Sequence, residues 1–301
     1  MPKVLRLAAI ASLALATAVL GTGTARAADA HHHRASTCTG TLAAPGVLAG
    51  TFHGDVVIKG VCVVNGGAAV IRGDLILTPG SALNATFALN DVAGKGTSSL
   101  TVGDDIKIGS GAVLGMGCEP NFSPCTDDPN AKSGGTLTGD NVVFGNVTGF
   151  NALAAIIHAS TIFGDFTLRG GGGGVTCKVP ATGVFHALGS PVFSDSENNT
   201  IGGDIKISGL RTCWLGALRN DVRENIVDRN NTMADPDANE FLANVVHGSI
   251  ACFGNTPAVQ YGDSMSSPNL VFGRARGECA FSVRQPNPAP NGPLSPISVK
   301  I

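Results

Sequence analysis

IGGDIKISG, residues 201–209, sets a Gly-Asp pair ahead of a short run in which apolar and polar residues alternate. The same phrase stands elsewhere: GDVVIKG at 54–60, RGDLIL at 72–77, VGDDIKIG at 102–109, TGDNVVFG at 138–145 and FGDFTLRG at 163–170. A weaker echo, HGSIACFG, occupies 247–254. Alternation with period two is the pattern of a strand with one buried side. It places Val56/Ile58, Leu75/Leu77, Ile106/Ile108, Val142/Phe144, Phe166/Leu168 and Ile205/Ile207 on one side.

A motif reused with the same leading turn is the mark of a solenoid, not of a sandwich. The motif glycines, Gly54, Gly73, Gly103, Gly139, Gly164, Gly203 and Gly248, are unevenly spaced. Coils of about 18–22 residues, some intervals holding two coils and others carrying inserted loops, account for the spacing. The expected fold is all-β: a right-handed parallel β-helix whose coils bury Val, Ile and Leu against their neighbours. Asp55, Asp74, Asp104, Asp140, Asp165 and Asp204 then fall near one corner. Each is expected to accept a hydrogen bond from its own turn, since a bare row of carboxylates would repel itself and need cations.

Composition agrees. Gly 41 in 301 residues with 14% charged residues means many turns and few solvated helices, while 43% hydrophobic residues argue against disorder. Residues 1–27 read as a secretory leader: Lys3 and Arg6, an apolar stretch from Leu7 to Leu20, then Ala25-Arg26-Ala27. No later apolar run reaches the length of a membrane-spanning helix. The expected organisation is leader 1–27, β-helix 28–285 and a Pro-rich tail 286–301, in a chain released outside the cell. Losing Lys3, Arg6 and Arg26 makes the mature chain more acidic than the formal −2 of the whole sequence. With no basic cluster it is a poor match for nucleic acid. Residues 115–135, 169–200 and 218–246 break the repeat and read as loops, where a solenoid carries function.

Eight cysteines suit an oxidising compartment and permit 105 pairings. Coils adjacent in sequence are adjacent in space, which favours Cys38–Cys62, Cys118–Cys125, Cys177–Cys213 and Cys252–Cys279. CTGTLAAPGVLAGTFHGDVVIKGVCVV at 38–64, the repeated Gly-Asp strands, and NVVHGSIACFGNTPAVQYGDSMSSPNLVFGRARGECAF at 244–281 resemble exported, Cys-bracketed β-helix proteins of high-GC actinobacteria. The resemblance implies secretion and a right-handed parallel β-helix. It carries over no catalytic residue.

Three chemical readings follow. Asp235, Asp237 and Asn239 offer oxygens at alternate positions, as a Ca²⁺ loop does, although Glu240 and Val246 stand where an EF-hand needs Gly and Glu. The competing reading is a solvated turn. Parallel β-helices also host polysaccharide lyases and hydrolases, for which Asp165, Asp204, Lys206, Arg169 and Arg211 are the residues to recruit. Against an enzyme stands aromatic poverty, with Trp214 and Tyr261 the single Trp and Tyr. His158, like His53, His186 and His247, is isolated in sequence and reads as a strand or turn residue. The favoured reading is a non-catalytic structural or surface-interaction protein that presents loops to a cell-surface glycan or protein.

Overall fold

The Gly-Asp pairs mark one corner of a three-faced coil. A computed structural model describes residues 35–260, 267–281 and 283–284. The expected leader, His31, His32 and His33, and the Pro-rich stretch 286–301 lie outside the described residues. Each coil runs from this corner along a first, a second and a third face. The first face stacks strands such as Leu75–Leu77, Ile106–Ile108, Phe166–Arg169, Ile205–Ser208 and Ile226–Arg229. The second includes Ala82–Ala85, Val113–Met116, Ala154–His158, Phe193–Glu197 and Trp214–Leu218. The third includes Ser99–Val102, Val142–Val143, Thr161–Ile162, Thr200–Ile201 and Val245–Val246. Every strand pairing is parallel, so the fold is a parallel β-helix.

Inward residues stack in register. Val56, Leu75, Ile106, Val147, Phe166, Ile205, Ile226 and Ile250 form one column, fully or almost fully buried. Strand ends turn through the left-handed region: Asn151, Gly170, Gly209, Asn230 and Gly254 follow five successive first-face strands with φ of 52, 65, 67, 55 and 69°. Gly and Asn serve there because they tolerate that conformation best.

The Gly-Asp motif has a physical cause on both residues. Asp55 Oδ1 accepts from the backbone N–H of Asp74, one coil on. Asp74, Asp105, Asn146, Asp165, Asp204, Asn225 and Ser249 each repeat this toward the next coil, ending at Arg274. These side chains bind the neighbouring coil and not their own turn, which corrects the expectation above. Glycine precedes them because the coils approach too closely for a side chain. A Cβ on Gly203 would lie 2.2 Å from Asp165 Oδ1, and one on Gly73 2.3 Å from Asp55 Oδ1. Asp104 and Glu224 sit at the same position with a side chain. There the backbone N–H to O distance is 3.3 Å, against 2.7–3.0 Å where the residue is Gly145, Gly164, Gly203, Gly248 or Gly273.

Two members of the expected row are therefore different residues. Asp105 and Asn146, not Asp104 and Asp140, occupy the corner. Val142–Val143 belongs to the third face and Phe144 is exposed. A second row, buried at the turn from second to third face, was not anticipated. Asn199, Asn220, Asn244 and Asn269 each accept a backbone N–H of the coil before through Oδ1, and the Nδ2 of Asn199, Asn220 and Asn244 donates to the Oδ1 of the asparagine on the next coil. Their amides also donate to Ile157, Ser196, Ala217 and Phe241 carbonyls. Buried amides so arranged satisfy the backbone where the chain leaves a sheet.

Of the intervals between the motif glycines, Gly203 to Gly248 holds two coils, with corner residues Asp204, Asn225 and Ser249, and the others hold one. Successive rungs are 19, 31, 41, 19, 39, 21, 24 and 25 residues apart, each a single coil with or without an insertion. Residues 86–98 and 117–141 leave the second face, and 170–192 leave the first; the last includes the helix Val184–Leu188. Residues 218–246, expected as a loop, are instead regular coils with strands Asp221–Val222, Ile226–Arg229, Thr232–Met233 and Glu240–Leu242. The acidic run from Phe193 to Glu197 is likewise a strand. The disulfides join Cys38–Cys62, Cys118–Cys125, Cys177–Cys213 and Cys252–Cys279. Among the described residues no helix is long and apolar enough to cross a membrane.

Candidate functional site

Alternation also decides what the first face shows to solvent. With Val147, Phe166, Ile205, Ile226 and Ile250 turned inward, the fourth residue of each strand turns outward. Those residues are Phe150, Arg169, Ser208, Arg229 and Phe253, paired in unbroken register across five coils. At about 4.8 Å per coil the stripe is about 19 Å long, and the two arginines stand about 10 Å apart along it. Phe150 is 64% exposed and Phe253 46%. Arg169, Lys206, Ile207, Ser208, Val227 and Arg229 line a shallow cavity of about 350 Å³.

The charges here are unequally engaged. Lys206 Nζ lies 2.8 Å from Asp165 Oδ2 and 2.6 Å from Asp204 Oδ2. Hydrogen bonds to Asp165 and then Asp204 hold its pKa above the ordinary lysine value. Burial opposes ionisation of Asp204, but bonds from Lys206 and Asn225 outweigh it and keep that carboxyl below its usual range. Lys206 is thus a fixed ammonium, the opposite of the depressed amine a proton-abstracting lyase needs. Among the described residues, Arg169 and Arg229 take part in no ion pair. The structure brings Asp165, Asp204, Lys206 and Arg169 to one face, and places Arg211 on the separate strand Arg211–Thr212.

A second cluster lies on the outer side of the second face. His158 ends one strand and Glu197 ends the next, in register. Asp195 is on the same strand as Glu197, Arg219 follows the next coil's strand, and Glu119 reaches in from the 117–141 insertion. His158 is 2% exposed. Its Nε2 lies 3.4 Å from Asp195 Oδ2, and its Nδ1 lies 3.6 Å from Glu119 Oε1 and 4.0 Å from Glu197 Oε2. Arg219 pairs with Glu197, and its Nε donates to Asn198 Oδ1 at 3.0 Å. Burial works against the imidazolium, yet Asp195 and Glu119 outweigh it and push the His158 pKa up to about 9. Burial, then repulsion by Asp195, pushes Glu197 up to about 8 against the pull of Arg219 and His158. Sequence reading missed this cluster because its members come from four separate stretches that only the coil stacking unites.

The remaining expected residues are placed apart. Asp235 Oδ1 accepts from Asp237 N–H in a local turn, and Asp237 Oδ1 accepts from Gln260 Nε2 at 3.3 Å. Asn239, with φ of 73°, is buried and donates to the Pro257 carbonyl. The Asp235 and Asp237 oxygens are thus engaged with different partners, and Asn239 Oδ1 is buried without one. Cys177, Cys213 and Asp235 also lie close together, but both sulfurs are consumed in a disulfide. Asp74 of the Arg72-Gly73-Asp74 triplet is a rung of the corner row and pairs with Lys107.

Comparison of the chain with protein-family models, with curated proteins and with solved structures gives no match.

Proposed function

We propose that this chain is an exported, non-catalytic surface-interaction protein whose first face takes an anionic polysaccharide. The observation that carries the reading is the stripe Phe150–Arg169–Ser208–Arg229–Phe253. Two guanidiniums without carboxylate partners suit carboxylate or sulfate groups, which arginine binds in a bidentate fork. Phenylalanines at either end offer flat apolar surface to sugar ring faces. The strand-to-strand spacing is imposed by the backbone, so the stripe is already ordered before a partner arrives, which lowers the entropy lost on binding. Four disulfides and the leader-like N-terminus support an extracellular setting.

The test is binding of the purified chain to acidic polysaccharides (polygalacturonate, alginate, a sulfated galactan) beside neutral ones. Acidic chains should bind, with affinity falling as salt rises, and Arg169→Ala/Arg229→Ala should weaken binding by about tenfold or more. Equal affinity for neutral chains, or an unaffected double variant, would overturn the assignment. Incubation of the same polysaccharides with the protein, with and without Ca²⁺, should release no new reducing or unsaturated ends. Their appearance would replace the non-catalytic reading with a lyase or hydrolase.

A further inference from the structure

We propose that Glu119, His158 and Glu197 form a binding site for a divalent transition-metal ion, Zn²⁺ being the best match to one imidazole nitrogen and two carboxylates. Each residue offers one ligand atom, and these atoms lie within 4.8 Å of one another. Ligands about 2.0–2.1 Å from a tetrahedral Zn²⁺ are separated by about 3.3–3.4 Å. The Nδ1 to oxygen distances of 3.6 and 4.0 Å need to close by about 0.3 and 0.6 Å to reach that.

His158 is oriented as a ligand. Its Nδ1 is buried, has no hydrogen-bond partner and faces both carboxylates. At 3.6 Å the contact with Glu119 is beyond hydrogen-bond length. On the opposite ring edge Nε2 faces Asp195 Oδ2. A carboxylate behind the far nitrogen is the usual support of a metal-bound imidazole, because it fixes the tautomer that leaves the near nitrogen's lone pair open. Both ligand carboxylates are themselves held: Asn198 Nδ2 donates to Glu119, and Arg219 to Glu197. The Arg219 guanidinium rests 4.0 Å over the Phe122 ring, from the same insertion as Glu119.

Charge supports the assignment. Glu119, Asp195 and Glu197 bring three carboxyl groups, able to carry up to three negative charges, into a pocket where the five side chains are 3–14% exposed, against one permanent cation, Arg219. A divalent ion with neutral His158 balances the group. The ion would tie the 117–141 insertion to the second face, which Cys118–Cys125 does not do, since that bond closes within the insertion.

The experiment loads the full chain, stripped with a chelator, with Zn²⁺ or Co²⁺ and compares it with His158→Gln and Glu119→Gln. Counting the difference between proteins cancels any metal held by His31, His32 and His33. Wild type should bind one more equivalent than either variant, at least 100-fold more tightly. Co²⁺ should give a tetrahedral visible absorption that both variants lack, and Zn²⁺ should raise the melting temperature of wild type alone. If His158→Gln fails to fold, Glu119→Gln, altered only in the insertion, decides the matter alone. Equal stoichiometry and equal Co²⁺ spectra in wild type and Glu119→Gln would overturn the site and leave His158 as a buried imidazolium among carboxylates.

Discussion

Asp228→Asn should make the protein more stable at neutral pH, although it removes a charge from a natural sequence. Asp228 points into the coil between Ile207 and Cys252 and is fully buried. Asn231 Nδ2 donates to its Oδ1, while Oδ2 has no partner. Burial pushes its pKa up to about 7, against bonds from Asn239 and Asn231 and with help from the Glu278 charge. The unfolded value is about 3.9. A folded pKa above the unfolded one favours the fold fully below about pH 4, and that contribution is lost as pH rises through about 7. Three units at about 1.36 kcal/mol each give about 4 kcal/mol lost across that window. Asparagine keeps the acceptor for Asn231 and does not titrate. Asn239, which also bonds to this carboxyl, has an Oδ1 without a partner. Urea unfolding with disulfides intact should show wild type and variant within about 1 kcal/mol at pH 4.0, and the variant ahead by about 3–4 kcal/mol at pH 7.5. A difference that does not change between the two pH values would refute the argument, as would a variant less stable than wild type at pH 7.5.

Other outcomes follow from the corner rows. Asp165→Ala leaves the Asp204 N–H without its acceptor and removes one partner of Lys206, and should cost about 1–3 kcal/mol in thermal or urea unfolding. Asp165→Asn keeps the acceptor and should cost less than half as much. Asn220→Asp replaces two donated bonds, to the Ser196 carbonyl and Asn244 Oδ1, with a carboxylate facing oxygens; a loss of about 3–5 kcal/mol at pH 7, partly regained in acid, is the expected result by the same assay. Cys252→Ser/Cys279→Ser frees the last coils, so limited proteolysis should cut first beyond Val246 and mass spectrometry should find the 38–246 stretch intact.

The fold was legible because its three causes leave separate marks. Close coil approach demands glycine, the rung demands a short acceptor, and the buried strand demands alternation; IGGDIKISG shows all three. Where the marks failed, the reason is physical. In VGDDIKIG the rung is the second Asp, since Asp104 sits where glycine is normal and stretches the coil. In TGDNVVFG an insertion places a Gly-Asp pair by chance before a third-face strand. The buried asparagine row left a trace that went unread. Asn141, which accepts from Leu100 N–H and donates to the Ala85 carbonyl in the same manner, and Asn199, Asn220, Asn244 and Asn269 each stand five residues before a corner residue, in the form Asn-x-Val/Ile-x-x-Asp/Asn, with Ser249 and Arg274 as variants. The His158 cluster left none, because Glu119 enters across an insertion. The first-face stripe was half visible: Arg169 and Ser208 each end a quoted repeat, but Arg229 ends a strand in the stretch expected as loop, and the juxtaposition of the three depends on register.

The insertions have a consequence for how such a chain changes over generations. Rung geometry is set by atoms at the corners, and the separation of successive rungs ranges from 19 to 41 residues with no change in the rung itself. Doubling the chain between two fixed points adds only about 0.6 kcal/mol of closure entropy. A spool of this kind can therefore exchange one outlying segment for another with little penalty, and its repertoire of surfaces can diversify while every hydrogen-bonded corner stays as it is.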